Sequence, residues 1–214
     1  MPSPKYIYYS AVALPYITVA IGLYLLNNAW IAMLGYHLGM ALLLTTQARN
    51  HPLQKRKDVG SVWYWIGFSL IGSLLSGVLV YALWPWLAKF PASDVASFLS
   101  GWSLGPSSWA IFVVYFCLMN PWLEEIYWRR WLSQTDHSEL ETSGWFAGYH
   151  GLVLIPIIQG WAVVIALIIL FFVGWWWARM VKLSGSLFGP IVCHFVANVS
   201  IMLAVNWLYS LECI

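Results

Sequence analysis

Apolar residues in this chain fall into long unbroken runs, separated by short stretches that are polar or rich in Pro and Gly. A helix that crosses a bilayer needs about 20 predominantly apolar residues. Seven segments approach that length, at about 6–26, 29–46, 61–84, 107–119, 144–156, 158–180 and 187–211. The first begins directly after Met1-Pro-Ser-Pro-Lys5 with no cleavage site, so it reads as a retained helix and not a removed signal. Asn27-Asn28 joins the first two tightly, and the third ends at Trp84-Pro85-Trp86, aromatic residues suited to a membrane interface. The fourth meets Asn120-Pro121, and the fifth is short or interrupted. Polar connections are expected at 47–60 and 133–143, with a weakly charged loop carrying Lys89 and Asp94 ahead of Pro106. This pattern predicts an all-α polytopic transmembrane bundle of about seven helices, a single transmembrane domain over 1–214.

Composition strengthens that reading. The 214 residues are 61% hydrophobic and only 8% charged, and the mean hydropathy of +0.73 is far from that of a soluble domain. The net charge of +2 offers no basic footprint for nucleic acid. The 16 Trp and 12 Tyr suit interfacial belts, although several rings must also lie inside the bundle. Cys117, Cys193 and Cys213 match no metal or disulfide spacing, and the first two read as small core residues. Charge also orients the chain. Arg49, Lys55, Arg56 and Lys57 mark the loop after the second helix as cytoplasmic, which places the N-terminus inside. Alternating crossings then put Arg129, Arg130, Arg179 and Lys182 on the same side.

Polar residues inside the apolar runs carry the chemistry. Glu124, Glu125 and Arg129 fall within six positions, where each ionisable group costs roughly 2.5–3.5 kcal/mol to insert. In a straight helix Glu124 lies about 9 Å deeper than Arg130, and His150 lies roughly 9 Å into the fifth helix. His194 is up to roughly 18 Å past Lys182, so carboxylate and imidazoles reach similar depth from three helices. Asn198 shares a helical face with His194, as Phe146 does with His150 and Glu125 with Arg129. Glu125 and Arg129 read as an ion pair, and Glu124 points about 100° away towards another partner. His37, beside Gly35 and Gly39, reads as a hydrogen-bonding partner, the glycines as a close-packing face, and His51 and His137 as solvated loop residues. Spacing alone leaves an active site and a structural polar network equally open. His-Glu-x-x-His, Gly-x-Ser-Gly and an intramembrane Asp are all missing from the sequence. A glutamate near two histidines and an asparagine remains, a set able to deprotonate water and stabilise an oxyanion.

Glu124-Glu125-x-x-x-Arg129, Phe146-x-x-x-His150 and His194-x-x-x-Asn198, in this order on successive apolar segments, resemble the CPBP family of CAAX proteases and bacteriocin-processing enzymes. The resemblance extends from about 120 to 198 and includes the approach Ser184-Gly-Ser-Leu-Phe-Gly-Pro-Ile-Val-Cys-His194. It makes about 107–211 the catalytic core and 1–84 additional N-terminal helices. Arg130 departs from the family pattern, which usually has glycine there. The resemblance implies an intramembrane endopeptidase acting on a membrane-bound peptide or protein within the lipid bilayer, with its site open to the cytoplasmic side. Carried over, Glu124 is the general base and His150 positions the water. His194 and Asn198 form the oxyanion hole, and Glu125, Arg129 and Phe146 support the site. A rival, metalloprotease-like scheme puts Zn2+ on Glu124, His150 and His194. A metal-free site is favoured because an asparagine serves an oxyanion better than it serves zinc. The small size suggests a prokaryotic cell-membrane protein. The alternative from another class is a non-catalytic membrane scaffold or binding protein that retains the polar core.

Overall fold

Lipid offers no hydrogen-bond partner to the backbone, so apolar runs satisfy their N–H and C=O groups inside helices. The structure, a computed structural model, describes residues 4–47, 60–134 and 138–210, and they form no strand. In order the helices are α1 (Pro4–Val19), α2 (Ala29–Gln47), α3 (Gly60–Leu87), α4 (Val95–Gly101), α5 (Pro106–Glu124), α6 (Glu139–Leu154), α7 (Gly160–Ser184) and α8 (Phe188–Ser210). Two are prolonged by wider π-helical turns, α1 by Ala20–Leu25 and α5 by Glu125–Trp131.

Among the described residues six helices are long and apolar enough to cross a membrane, at Lys5–Leu25, Ala29–Thr46, Val62–Leu87, Pro106–Trp131, Gly160–Ser184 and Phe188–Ser210. The expected fifth segment is α6, which has only 16 residues. It begins at Glu139, not at Gly144. Ser138 caps it by accepting the Glu141 N–H at 3.0 Å, and Glu139 and Glu141 occupy the first turn, where acidic side chains complement the helix dipole. The polar connection expected over 133–143 is therefore partly helix. Beyond α6, backbone bonds from Gln159 N to Leu87 O (2.8 Å) and from Lys89 N to Ile157 O (3.0 Å) fasten the chain to the far end of α3. At the opposite end Lys182 bonds Glu139 at 2.7 Å, joining the close of α7 to the start of α6. The connection expected ahead of Pro106 contains α4, which buries Val95, Ala96 and Leu99 and is too short to show in an apolar profile.

Packing depends on close backbone approach. Gly39 lies against the Leu14 side chain, so the face expected of Gly35 and Gly39 is real, with Gly39 the tighter of the two. Gly77 of α3 sits on the backbone of Ser200 in α8, and its N–H donates to Ser200 Oγ at 3.0 Å. Cys117 and Cys193 are buried free thiols, as expected of core residues. Rings divide between the two predicted places. Trp63, Tyr64, Trp86 and Trp207 are exposed, whereas Tyr36, Tyr127, Trp128 and Tyr149 are buried together. His51, His137, Cys213 and the basic loop residues Arg49 to Lys57 lie outside the described residues.

Candidate active site

Pro121 lies inside α5 and has no N–H to return to the preceding turn. Four residues later the helix widens into the π-helical stretch that begins at Glu125. π-Helical turns often occur at functional sites, because the extra residue per turn re-aims side chains. Here Glu124, Glu125 and Arg129 are all buried, at 1%, 0% and 0% exposure. Arg129 is therefore part of the site and not of the charged membrane flank where its charge alone placed it, while Arg130 and Arg179 are exposed.

Glu125 and Arg129 form the expected pair, with Nε 3.3 Å from Oε2. The guanidinium lies over the Phe146 ring, its Cζ 4.3 Å from the centroid, so Phe146 supports the cation through its π face. Glu125 also has a second role. Its Oε1 accepts from His194 Nδ1 at 2.9 Å, so this carboxylate holds both a guanidinium and an imidazole. A carboxylate on one ring nitrogen fixes which edge of a histidine faces the pocket, here the Nε2 edge. Glu124 Oε2 lies 3.8 Å from that Nε2. Its other oxygen, Oε1, accepts a short hydrogen bond from the Tyr149 hydroxyl.

His150 reaches Glu124 through the same hydroxyl. His150 Nδ1 donates to the Phe146 carbonyl at 2.8 Å, and Nε2 lies 3.2 Å from the Tyr149 oxygen. Tyr149 is fixed in turn by Trp128, whose ring stacks on it at 6.0 Å and whose indole N–H donates to Tyr36 at 2.9 Å. Asn198 is buried one turn beyond His194 on α8, and its Nδ2 has no hydrogen-bond partner among the described residues. Glu124 Oε2 is likewise without one.

Glu124 and His194 thus face one another across 3.8 Å, and His150 joins them by way of Tyr149. Among the described residues no group of three His, Cys, Asp or Glu is arranged to hold a metal ion, and the Tyr149 hydroxyl stands between Glu124 and His150. The sequence reading missed Tyr149 and also Asn120, whose Nδ2 lies 3.5 Å from His194 Nε2 and which stands one turn before Glu124 on the same face. That spacing equals the His194–Asn198 spacing that was recognised, so Asn120 was within reach of the same rule. Tyr149 carried no such signal, being one of 12 tyrosines.

These features define a helical membrane protein with a largely buried cluster of carboxylate, imidazole and amide side chains. Residues 106–200, which hold every one of the motif positions, match the family model described as Type II CAAX prenyl endopeptidase Rce1-like. The match is to a protease family and agrees with the resemblance carried by the three motifs. No curated protein and no solved structure matches the chain.

Proposed function

We propose that the protein is an intramembrane endopeptidase that hydrolyses a peptide bond of a membrane-anchored substrate with water activated by Glu124. One observation carries this reading. Glu124 is buried with one oxygen held by Tyr149, while the other, unpaired, faces His194 Nε2 at 3.8 Å. That gap is too long for a direct hydrogen bond and suits a water shared by both groups. Oε2 takes a proton from the water as its oxygen bonds to the substrate carbonyl carbon, and the carbonyl electron pair moves onto oxygen. His194 Nε2–H and Asn198 Nδ2 receive that oxyanion. When the tetrahedral intermediate collapses the C–N bond breaks, and the amine nitrogen takes the proton from Glu124.

His194 gives its Nδ1–H to Glu125, so its oxyanion role uses the imidazolium. Its charge and that of Arg129 then balance Glu124 and Glu125, which matters because unbalanced buried charge is costly. His150, its Nδ1–H held by the Phe146 carbonyl, presents Nε2 as an acceptor beside the Tyr149 oxygen and positions the water. The scheme operates without a metal. The exposed Arg130 and Arg179 at the end of the bundle where α5 and α7 close favour a cytoplasmic opening there.

The test uses full-length protein in lipid nanodiscs and a farnesylated fluorogenic peptide ending in Cys-aliphatic-aliphatic-X. Glu124→Gln is expected to lower kcat by about 10²–10⁴ while thermal unfolding stays close to wild type. Cleavage by this variant at the wild-type rate removes Glu124 from the reaction. If no peptide is cut by the wild type, while substitutions at Glu124, His150 and His194 lower its stability, the polar cluster is a scaffold. Activity should survive exhaustive chelation with metal content verified by elemental analysis, and its loss with recovery on added Zn2+ would restore the zinc scheme.

A further inference from the structure

Asn120 belongs to none of the three motifs, yet it is buried at 5% exposure in the middle of the cluster. We propose that Asn120 is a further donor of the oxyanion hole and that His37 of α2 aims it. The inference rests on the protease reading and deepens it.

Two pairs of residues, each one helical turn apart, face one another across the pocket. Asn120 and Glu124 come from α5, and His194 and Asn198 from α8. Asn120 Nδ2 lies 3.5 Å from His194 Nε2, the nitrogen that Glu124 Oε2 approaches at 3.8 Å. A separation of 3.5 Å is long for a hydrogen bond between the two nitrogens. It is natural for two donors that converge on one acceptor between them. With Asn198 Nδ2, three N–H groups on two helices would then surround the point where the oxyanion develops.

The orientation of the Asn120 amide is set from outside the pocket. His37 is buried at 3% exposure, with Nδ1 3.0 Å from the Tyr115 hydroxyl and Nε2 3.1 Å from Asn120 Oδ1. When the Tyr115 hydroxyl donates to Nδ1, Nε2 carries the proton and donates to Oδ1, which leaves the Asn120 NH2 directed at the pocket. The reverse orientation would aim a carbonyl oxygen at a space that already contains the unpaired oxygen of Glu124, acceptor against acceptor. His37 lies outside residues 106–200, so an N-terminal helix beyond the family match completes the site. Asn120 transfers no proton. It donates Nδ2–H as the carbonyl electron pair moves onto oxygen and gives up that bond when the C–N bond breaks.

The full chain in nanodiscs and the same farnesylated peptide supply the test. Asn120→Asp keeps an oxygen for His37 to hold and replaces the amide donor with a carboxyl oxygen, which also brings a charge. It is expected to lower kcat about 10²–10³-fold, the usual cost of one oxyanion donor, with little change in KM. Asn120→Ala, which adds no charge, carries the same expectation should the Asp variant unfold. His37→Leu is expected to cost less, roughly 10-fold through misplacement of the amide, and to cost nothing further once Asn120 is already Ala. That non-additivity separates positioning from a general loss of packing, which would add. Two results overturn the proposal. One is a folded Asn120→Ala that retains kcat within about twofold of wild type. The other is a His37→Leu effect of equal size in both backgrounds. A wild type that cuts no peptide, or a Glu124→Gln variant as active as wild type, instead overturns the protease reading itself.

Discussion

The spans Val62–Leu87 and Pro106–Trp131 are each 26 residues long, but they treat their surroundings in opposite ways. The first has no charged side chain and is the less buried, 11% against 33%. Its Trp63, Phe68, Ile71, Leu74 and Val78 all face outwards. The second contains Asn120, Glu124, Glu125 and Arg129 and encloses all four. In water the more apolar helix would be the buried one. In a bilayer hydrocarbon solvates Leu and Ile as well as the interior does, so polarity and close packing decide what goes inside. Each span therefore has its own vulnerability: charge balance in one, and the shape of a seam in the other.

Substitutions can sharpen that contrast. The largest effect on stability is expected at the polar span. Arg129→Met leaves Glu125 buried without its guanidinium and should destabilise the protein by about 3–5 kcal/mol, measured by unfolding in detergent. A loss under about 1 kcal/mol would mean that His194 alone compensates Glu125. On the apolar span, where no charge is at stake, a single methyl group should still matter at one place. Gly77→Ala puts a Cβ into the backbone of Ser200 and should cost about 1–3 kcal/mol. Gly72 has no neighbouring atom within 4 Å of a built Cβ. Gly72→Ala, on the same helix, should be neutral or stabilising by up to about 1 kcal/mol from helix propensity. Equal effects at Gly77 and Gly72 would show that α3 does not depend on its seam with α8.

The same physics explains what could be read in advance. Span positions were legible because twenty apolar residues in a row have few other uses. Glu124, Glu125, Arg129, His150, His194 and Asn198 stood out because each is expensive where it lies. Helix rotation was far less legible. The lipid face and the packed face are both apolar, so periodicity does not say which side of α2 carries His37 towards α5. The second role of Glu125, as the acceptor for His194 Nδ1, depends on that missing rotation. Tyr149 was hidden for a different reason, since a tyrosine costs little in a membrane and gives no warning that its hydroxyl is in use. The start of α6 at Ser138 lay in a polar stretch where hydropathy is silent, although Ser138 with Glu139 and Glu141 has the chemistry of a helix start.

The joint between Gly77 and Ser200 has a mechanical side. α3 has 28 residues, a length of about 42 Å at 1.5 Å per residue, against roughly 30 Å of hydrocarbon in a typical bilayer. A helix with that excess accommodates itself by tilting, and the angle changes as the bilayer thickens or thins. Because Gly77 and Ser200 interlock, α3 cannot lean without α8, and α8 bears His194 and Asn198. The thickness of the surrounding membrane would thus bear, through the seam between α3 and α8, on the set of the imidazole.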